Sequence, residues 1–281
     1  MAGTLQIRSV LLLGASGKLG RMVRTLWRPE AFSVVPVMRS APLVTGDVQW
    51  GPGDRPPGVP GVTAVVALWG VTPGPGRSLT DNTRLALSAM ELGAALGADM
   101  VVHCSSAAVY RPDTKPIPET APPDPASEYG LAKHDMERAI FAHRIQGGPR
   151  QVVLRIGNVA GADSLFANLS LGGRILLDRF PDGSGPMRSY IAPGDLVRVI
   201  ETLIQAPDAD GIYNVSAARP TAMAEIAGAC QAHIDWRDAP EGAAQMVWLD
   251  TSRLDSLVSL PADAHKGAHL VQGARDSGVW T

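Results

Sequence analysis

Residues 9–20 read SVLLLGASGKLG: an apolar run, then glycines at 14, 17 and 20, then a helix-forming stretch. The run carries no polar alternation, so a strand formed from it has no face to offer water. A strand covered on both faces belongs in a parallel sheet flanked by helices, and this constrains the fold more than any other feature of the chain. A leader segment is the competing reading of IRSVLLLGASG. The apolar run is too short to span a bilayer, however, and regularly spaced glycines follow it.

The pattern then repeats. FSVVPVM (32–38), VQW (48–50), VTAVVALWG (62–70), MVVHCSS (100–106) and QVVLRIGNV (151–159) read as strands, with Pro36 an awkward resident of the second. Helices are expected over 18–27, 78–98 and 127–144. In 78–98, Leu85, Ala89, Leu92 and Leu96 share one face and Gly97 can close the helix; Ser127 can cap the third helix. Strands alternating with helices predict an α/β fold, a Rossmann-type doubly wound parallel sheet. After about residue 160 the rhythm loosens. DGSGP marks a turn, APGDLVRVIETLIQA a helix, GIYNVS a strand and TAMAEIAGACQAH a further helix, while the tail from 235 is polar and short of β-pattern. The expected division is a first domain over 1–160 and a smaller C-terminal lobe over 161–281, interleaved with returning sheet elements at about 190–216.

With 281 residues, 45% of them hydrophobic, the chain can bury one large core and a small lobe. A formal charge of -2 without a basic run argues against nucleic acid as a partner. Cys104 and Cys230 supply neither a disulfide framework nor metal spacing, the six histidines show no ligand spacing, and no metal is expected. Cys104, inside an apolar run, reads as a core residue. No apolar run is long enough for a membrane span, so a soluble cytoplasmic protein is expected.

Gly14, Gly17 and Gly20, with Ser16, Lys18 and Leu19 between them, stand where a strand turns into a helix. Glycine permits a tight turn and close backbone approach, and a helix N-terminus offers free N–H groups and a favourable dipole to a pyrophosphate. The spacing is G-x-x-G-x-x-G, not the commoner G-x-G-x-x-G, and an ordinary strand–turn–helix can carry it. Placed directly after a buried opening strand, it points to a dinucleotide. An acidic residue about 20 positions on would hold a free ribose 2′-hydroxyl. The chain reads VMRS there. Arg39 can pair with a 2′-phosphate, which favours NADP over NAD; a solvated strand-end arginine is the other reading.

Further on, SSAAVY ends a strand and EYGLAK opens a helix. Tyr129 and Lys133 are four apart and share a helix face. A free tyrosine, with a pKa near 10, is a poor base; a nearby lysine favours the phenolate and pulls that value toward working pH. Ser106, at the strand end, can hydrogen-bond an oxygen whose charge changes during hydride transfer. Each piece alone is common, and their order after a glycine loop is what carries weight.

GASGKLG, SSAAVY, YGLAK, LRIGNVAG, MRSYIAPGDL and GIYNVS follow one another over almost the full length. In this the chain resembles the extended short-chain dehydrogenase/reductases, the NAD(P)-dependent epimerase/dehydratase group. The resemblance implies Tyr129 as catalytic acid/base, Lys133 as the ribose-binding residue that tunes it, and Ser106 as the substrate-polarising hydroxyl. It implies an adenine contact at Asp54, with Asp47 competing for that role, and further cofactor contacts at Leu68, Trp69, Gly70 and Ile156. ALWG stands where the family has a small-residue turn, so Trp69 is a departure that can narrow the cofactor or substrate mouth. Asn158 and Arg188 match positions that meet a sugar-nucleotide substrate, the arginine facing phosphates; a structural salt bridge is the other reading of Arg188. Asp195 reads as a helix N-cap. The implied activity is hydride transfer at a secondary alcohol or ketone carbon of a sugar nucleotide, leading to epimerisation, dehydration or reduction. The chain is shorter than most sugar-nucleotide epimerases, and its first motif ends in KLG where they carry aromatic-Ile-Gly. Two alternatives stand beside this: a carbonyl reductase of a small non-nucleotide metabolite, and a non-catalytic NADP-sensing regulator, against which Ser106, Tyr129 and Lys133 together speak. A homodimer through the helix at 82–97 and the helix of Tyr129 is the assembly the resemblance implies.

Overall fold

The structure is a computed structural model that describes residues 8–28, 32–40, 44–172 and 174–280. Its first part supplies β1 (Ser9–Leu13), α1 (Lys18–Leu26), β2 (Ser33–Met38), β3 (Val48–Gln49), β4 (Val62–Ala67), α2 (Asp81–Ala95), β5 (Met100–Ser106), α3 (Glu128–Ala142) and β6 (Arg150–Ile156). These strands, with the later strand Gly211–Val215, form one seven-stranded sheet in the order Gly211–Val215, β6, β5, β4, β1, β2, β3. All its pairings are parallel.

The apolar opening run behaves as its pattern demands. Val10 and Leu12 join the core on one sheet face with Val23 of α1 and Leu196 and Val199 of the helix Pro193–Gln205. Leu11 and Leu13 point to the other face and pack with Leu85, Ala89 and Leu92 of α2. Successive side chains of a strand face opposite ways, so an unbroken apolar run is what covering both faces requires. Pro36 fits because β3 pairs only with Val37 and Met38, leaving the outer flank of β2 at Pro36 without a strand partner. Gly97, with φ of +66°, follows α2 as expected. Ser127 caps α3, its Oγ accepting the Gly130 N–H at 3.1 Å.

The second half departs from the sequence reading in three places. The sixth strand breaks at Gly157, where a Cβ would lie 2.3 Å from the Ser189 carbonyl oxygen; Asn158–Val159 then pairs with Tyr190–Ile191 instead. The polar tail contains a strand: His233–Asp238 pairs in parallel with Arg174–Arg179. Arg237 pairs with Asp178 at 2.7 Å and Arg174 with Asp235, while only Ile234 and Trp236 turn toward the core. With two inward residues among four polar ones, the alternation is too short to stand out in a polar tail. Asp195 is not an N-cap. Ala192 occupies that position, Pro193 opens the helix, and Asp195 lies in the first turn, where its Oδ2 meets His269 Nε2 at 2.7 Å. Among the described residues no helix is long and apolar enough to cross a membrane, and no group of three or more His, Cys, Asp or Glu could hold a metal ion.

Candidate active site

In the sheet order β4 lies on one side of β1 and β2 on the other, so the loops that follow β1 and β4 diverge. Such a switch point leaves a crevice at the carboxyl ends of the strands. A cavity of about 920 Å³ lies here, bounded by the turn after β1, the ends of β2, β4 and β5, and the first turns of α3.

The glycine turn forms one end. Gly14 has φ of +81°, and a Cβ there would come within 2.7 Å of the Trp69 backbone nitrogen, so the turn and its close approach to β4 both require glycine. Gly20 is a packing residue: its Cβ would lie 2.1 Å from the Gly14 carbonyl oxygen, and it is buried behind the cavity wall. Gly17 faces the cavity, where an added Cβ would meet only Gly14 O, at 3.2 Å. It is also the N-cap of α1, with no side chain closing the helix start and no acid in the first turn. Bare N–H groups beside Ser16, Lys18 and Leu19 suit an anionic group. Arg39 and Ser40, at the end of β2, reach the same cavity, and among the described residues no carboxylate lines it.

Leu68, Trp69 and Gly70 form the β4 wall. Trp69 does not simply plug the mouth: it is buried and stacks on Trp50 with ring centroids 5.8 Å apart. Gly70 leaves room for the lysine, since a Cβ there would lie 3.3 Å from Lys133 Nζ.

Cys104, Tyr129 and Lys133 form the other end. Gly130 seats α3 on the turn after Ser106; its Cβ would fall 2.0 Å from the Ala108 carbonyl oxygen. Tyr129 thereby comes within hydrogen-bond reach of Ser106, whose Oγ also accepts the Ala108 N–H at 3.2 Å. Lys133 is 2% exposed, donates from Nζ to the Cys104 carbonyl oxygen at 2.8 Å, and lies 5.8 Å from the centroid of the Tyr129 ring.

The electrostatics run against the sequence expectation for the tyrosine. Burial pushes the Tyr129 phenol well above its ordinary value, and the Ser106 hydrogen bond opposes this only in part. Lys133 is itself held below the usual lysine range by burial, with Cys104 and Glu137 opposing the shift. Within the chain alone, burial dominates over the Ser106 hydrogen bond, so Tyr129 keeps its proton at neutral pH. Cys104 serves two surroundings: it packs against the sheet core as expected, yet it is only half-buried and also lines the cavity, and burial raises its thiol pKa.

Other expected residues stand off the cavity wall. The Asp54 carboxylate turns back to accept the Gly51 N–H at 2.8 Å, and Asp47 pairs with Arg24 at 2.8 Å. Ile156 is buried in the sheet core. Asn158 donates from Nδ2 to Asp163 Oδ2 at 2.6 Å, and Tyr190 donates to the same oxygen at 2.6 Å. Among the described residues Arg188 makes no salt bridge; it donates to the carbonyls of Met187, Ala244 and Gln245 at 2.8, 2.9 and 3.1 Å. Sequence reasoning missed Arg77, which reaches the cavity from the loop after β4 and donates to Thr72 Oγ1 at 3.1 Å. The glycine- and proline-rich stretch VTPGPGR, between a strand and a helix that both flank the site, was the available signal.

The sequence model of a family described as "NAD dependent epimerase/dehydratase family" matches residues 10–216. Among characterised proteins, the chain is 28% identical over 211 residues to "UDP-arabinose 4-epimerase 1" of Arabidopsis thaliana, covering 63% of this chain and 50% of that one. It is 47% identical over 75 residues to "UDP-glucose 4-epimerase" of Azospirillum brasilense, 26% of this chain and 22% of the other. The chain thus spans half or less of the length of these two relatives. The solved structure "MoeE5 in complex with UDP-glucuronic acid and NAD" superposes with a TM-score of 0.75 at 21% identity, covering 96% of this chain and 99% of that one, a likeness of fold.

Proposed function

The chain belongs to the NAD-dependent epimerase/dehydratase family, and from that premise we propose that it is an enzyme moving hydride between a nicotinamide dinucleotide and a secondary alcohol or ketone carbon of a sugar nucleotide. One observation carries the reading. A single cavity runs from the uncapped start of α1 to Lys133 and Tyr129. A bound dinucleotide supplies the hydride donor or acceptor. Lys18 and Leu19 would hold its pyrophosphate by their backbone N–H groups, the Gly17 N–H being already given to the Gly14 carbonyl oxygen at 2.9 Å, and Lys133 its ribose. Tyr129 Oη, protonated at rest, is suited to give its proton to an oxygen gaining negative charge, and to take it back in the reverse direction. Ser106 Oγ would hold that same oxygen. The residues 1–160 would then carry the cofactor and 161–281 much of the substrate contact.

Arg39 and Ser40 at the end of β2, with no carboxylate beside them on the cavity wall, support NADP; the family description supports NAD. The related epimerases support a sugar nucleotide. The inward ties of Asn158 and Arg188 favour the second reading, reduction of a small carbonyl compound, because neither side chain lines the cavity. Calorimetry with NAD(H) and NADP(H), followed by a panel of sugar nucleotides and small carbonyl compounds scored by cofactor absorbance and product stereochemistry, tests these readings. Binding of a dinucleotide and turnover of a sugar nucleotide are expected. Turnover of small carbonyl compounds alone replaces the substrate reading, and the absence of dinucleotide binding removes both. A homodimer through α2 and α3, which pack side by side here, is proposed by analogy; a monomeric mass by light scattering at micromolar concentration removes it.

A further inference from the structure

Behind the candidate catalytic set lies a buried polar network that the mechanism above does not use. Glu137 is one helical turn beyond Lys133 on α3, as Lys133 is one turn beyond Tyr129. Its side chain is 3% exposed, as is that of Arg155 on β6, and the two are paired at 2.7 Å. Arg155 Nε donates to both carboxylate oxygens, at 3.1 and 3.2 Å. Ser105 Oγ, one residue before Ser106, donates to Glu137 Oε1 at 2.5 Å. The far side of Arg155 donates to Tyr110 Oη at 2.6 Å, and Tyr110 donates to Asn214 Oδ1 at 3.0 Å.

Such a pair is a poor way to stabilise a fold. Desolvating two charges cancels much of their attraction, and well-packed apolar residues often serve as well or better. Its position is more informative. The carboxylate ties α3 to the end of β5 through the residue adjoining Ser106, between the two elements that bring Ser106 and Tyr129 together. It also places a negative charge one helical turn from Lys133.

We propose that Glu137, clamped by Ser105 and Arg155, is a positioning residue that sets the seat of α3 against the end of β5 and lends Lys133 a carboxylate one helical turn away. The proposal rests on the reading of Ser106, Tyr129 and Lys133 given above. The titratable groups facing Lys133 among the described residues are Cys104 and His103 from β5 and Tyr129 and Glu137 from α3; on the loop after β4, Gly70 stands beside its Nζ. Of these, Glu137 alone is a carboxylate. It opposes the burial that favours the neutral amine.

The test reads Lys133 directly and needs no substrate. The chain has four lysines, at 18, 115, 133 and 266. With ¹³Cε-labelled lysine, the Lys133 resonance is assigned by its loss in Lys133→Arg and then titrated. In folded Glu137→Gln the Lys133 midpoint is expected to move down in pH, because the amine loses its one anionic neighbour while its burial remains. An unmoved midpoint overturns the electrostatic role. If Glu137→Gln does not fold, Glu137→Asp carries the same test: it keeps a charge for Arg155 but draws it back by one methylene, and a smaller downward move is expected. Ser105→Ala tests the clamp with both charges kept. We expect kcat to fall about 10–100-fold, as a small misplacement of a catalytic group can cause, with KM and dinucleotide affinity retained. An unchanged kcat overturns the clamp. Failure of the underlying reading looks different: it is undiminished turnover in Tyr129→Phe, whatever the Lys133 titration shows.

Discussion

Two helices begin at the walls of one cavity, and they begin differently. α3 opens on Ser127, whose Oγ takes the Gly130 N–H, with Glu128 in the first turn beside the helix dipole. α1 opens on Gly17, with no side chain over its first N–H groups and no acid near them. The first N–H groups of any helix need acceptors. α3 meets that need from its own sequence and α1 leaves part of it unmet. Where a chain follows a local rule at one position and drops it at an equivalent one, the second position is the better candidate for a ligand. On this view the start of α1 is kept open for an anion, and the start of α3 is locked because Tyr129 and Lys133 must not move.

Substitutions should therefore divide cleanly. At the locked helix, Lys133 with its proposed ribose contact apart, they should alter turnover or stability and spare dinucleotide affinity; at the open end they should alter affinity and spare the fold. The largest effect is expected from Tyr129→Phe, which removes one oxygen and keeps the ring. Turnover should fall about 10²–10⁴-fold with dinucleotide affinity retained, as steady-state kinetics and calorimetry will show. A matching loss of affinity would mean that α3 holds the cofactor as much as it does chemistry, and the contrast would collapse.

Next in size is Arg39→Ala at the open end. Loss of a charged hydrogen bond to a 2′-phosphate should weaken NADP binding by about 1.5–3 kcal/mol, with NAD binding and melting temperature little changed. Equal losses for both dinucleotides would return Arg39 to the role of a solvated strand end. The smallest effect is expected from Ser127→Ala, which strips the cap from α3. It should cost about 0.5–2 kcal/mol in denaturant unfolding and leave dinucleotide affinity where it was. If Ser127→Ala costs no stability, the α3 start is less locked than its geometry indicates.

The sequence was legible where the determining residues are neighbours. The glycine turn, the buried strands, the Ser127 cap and the shared face of Tyr129 and Lys133 are all local patterns. What it could not reveal depends on partners far along the chain. Asp195 has the look of a helix-start residue, but its partner His269 is 74 positions away. Glu137 could be noticed for its spacing from Lys133, yet its partners, Ser105 and Arg155, come from two different strands. The strand His233–Asp238 was illegible for another reason: its alternation rests on two apolar residues only, Ile234 and Trp236, too short a pattern to stand out among the charged residues that pair across to the neighbouring strand. The upward push of burial on the Tyr129 phenol was equally out of reach, because spacing reports which groups meet and is silent on how deeply they are buried.

The strand Gly211–Val215 sets a condition on how the molecule can be made. It pairs with β6, yet the chain places the break at Gly157, the strand Arg174–Arg179 and the helix Pro193–Gln205 between the two. During synthesis the flank of β6 therefore emerges well before its covering strand, with Val152 and Leu154 on it. An apolar strand edge left bare is a template for pairing with other chains. A nascent chain halted before residue 211 would present that edge to its neighbours on the polysome. The late strand thus guards the growing protein against its own copies, as well as completing the sheet.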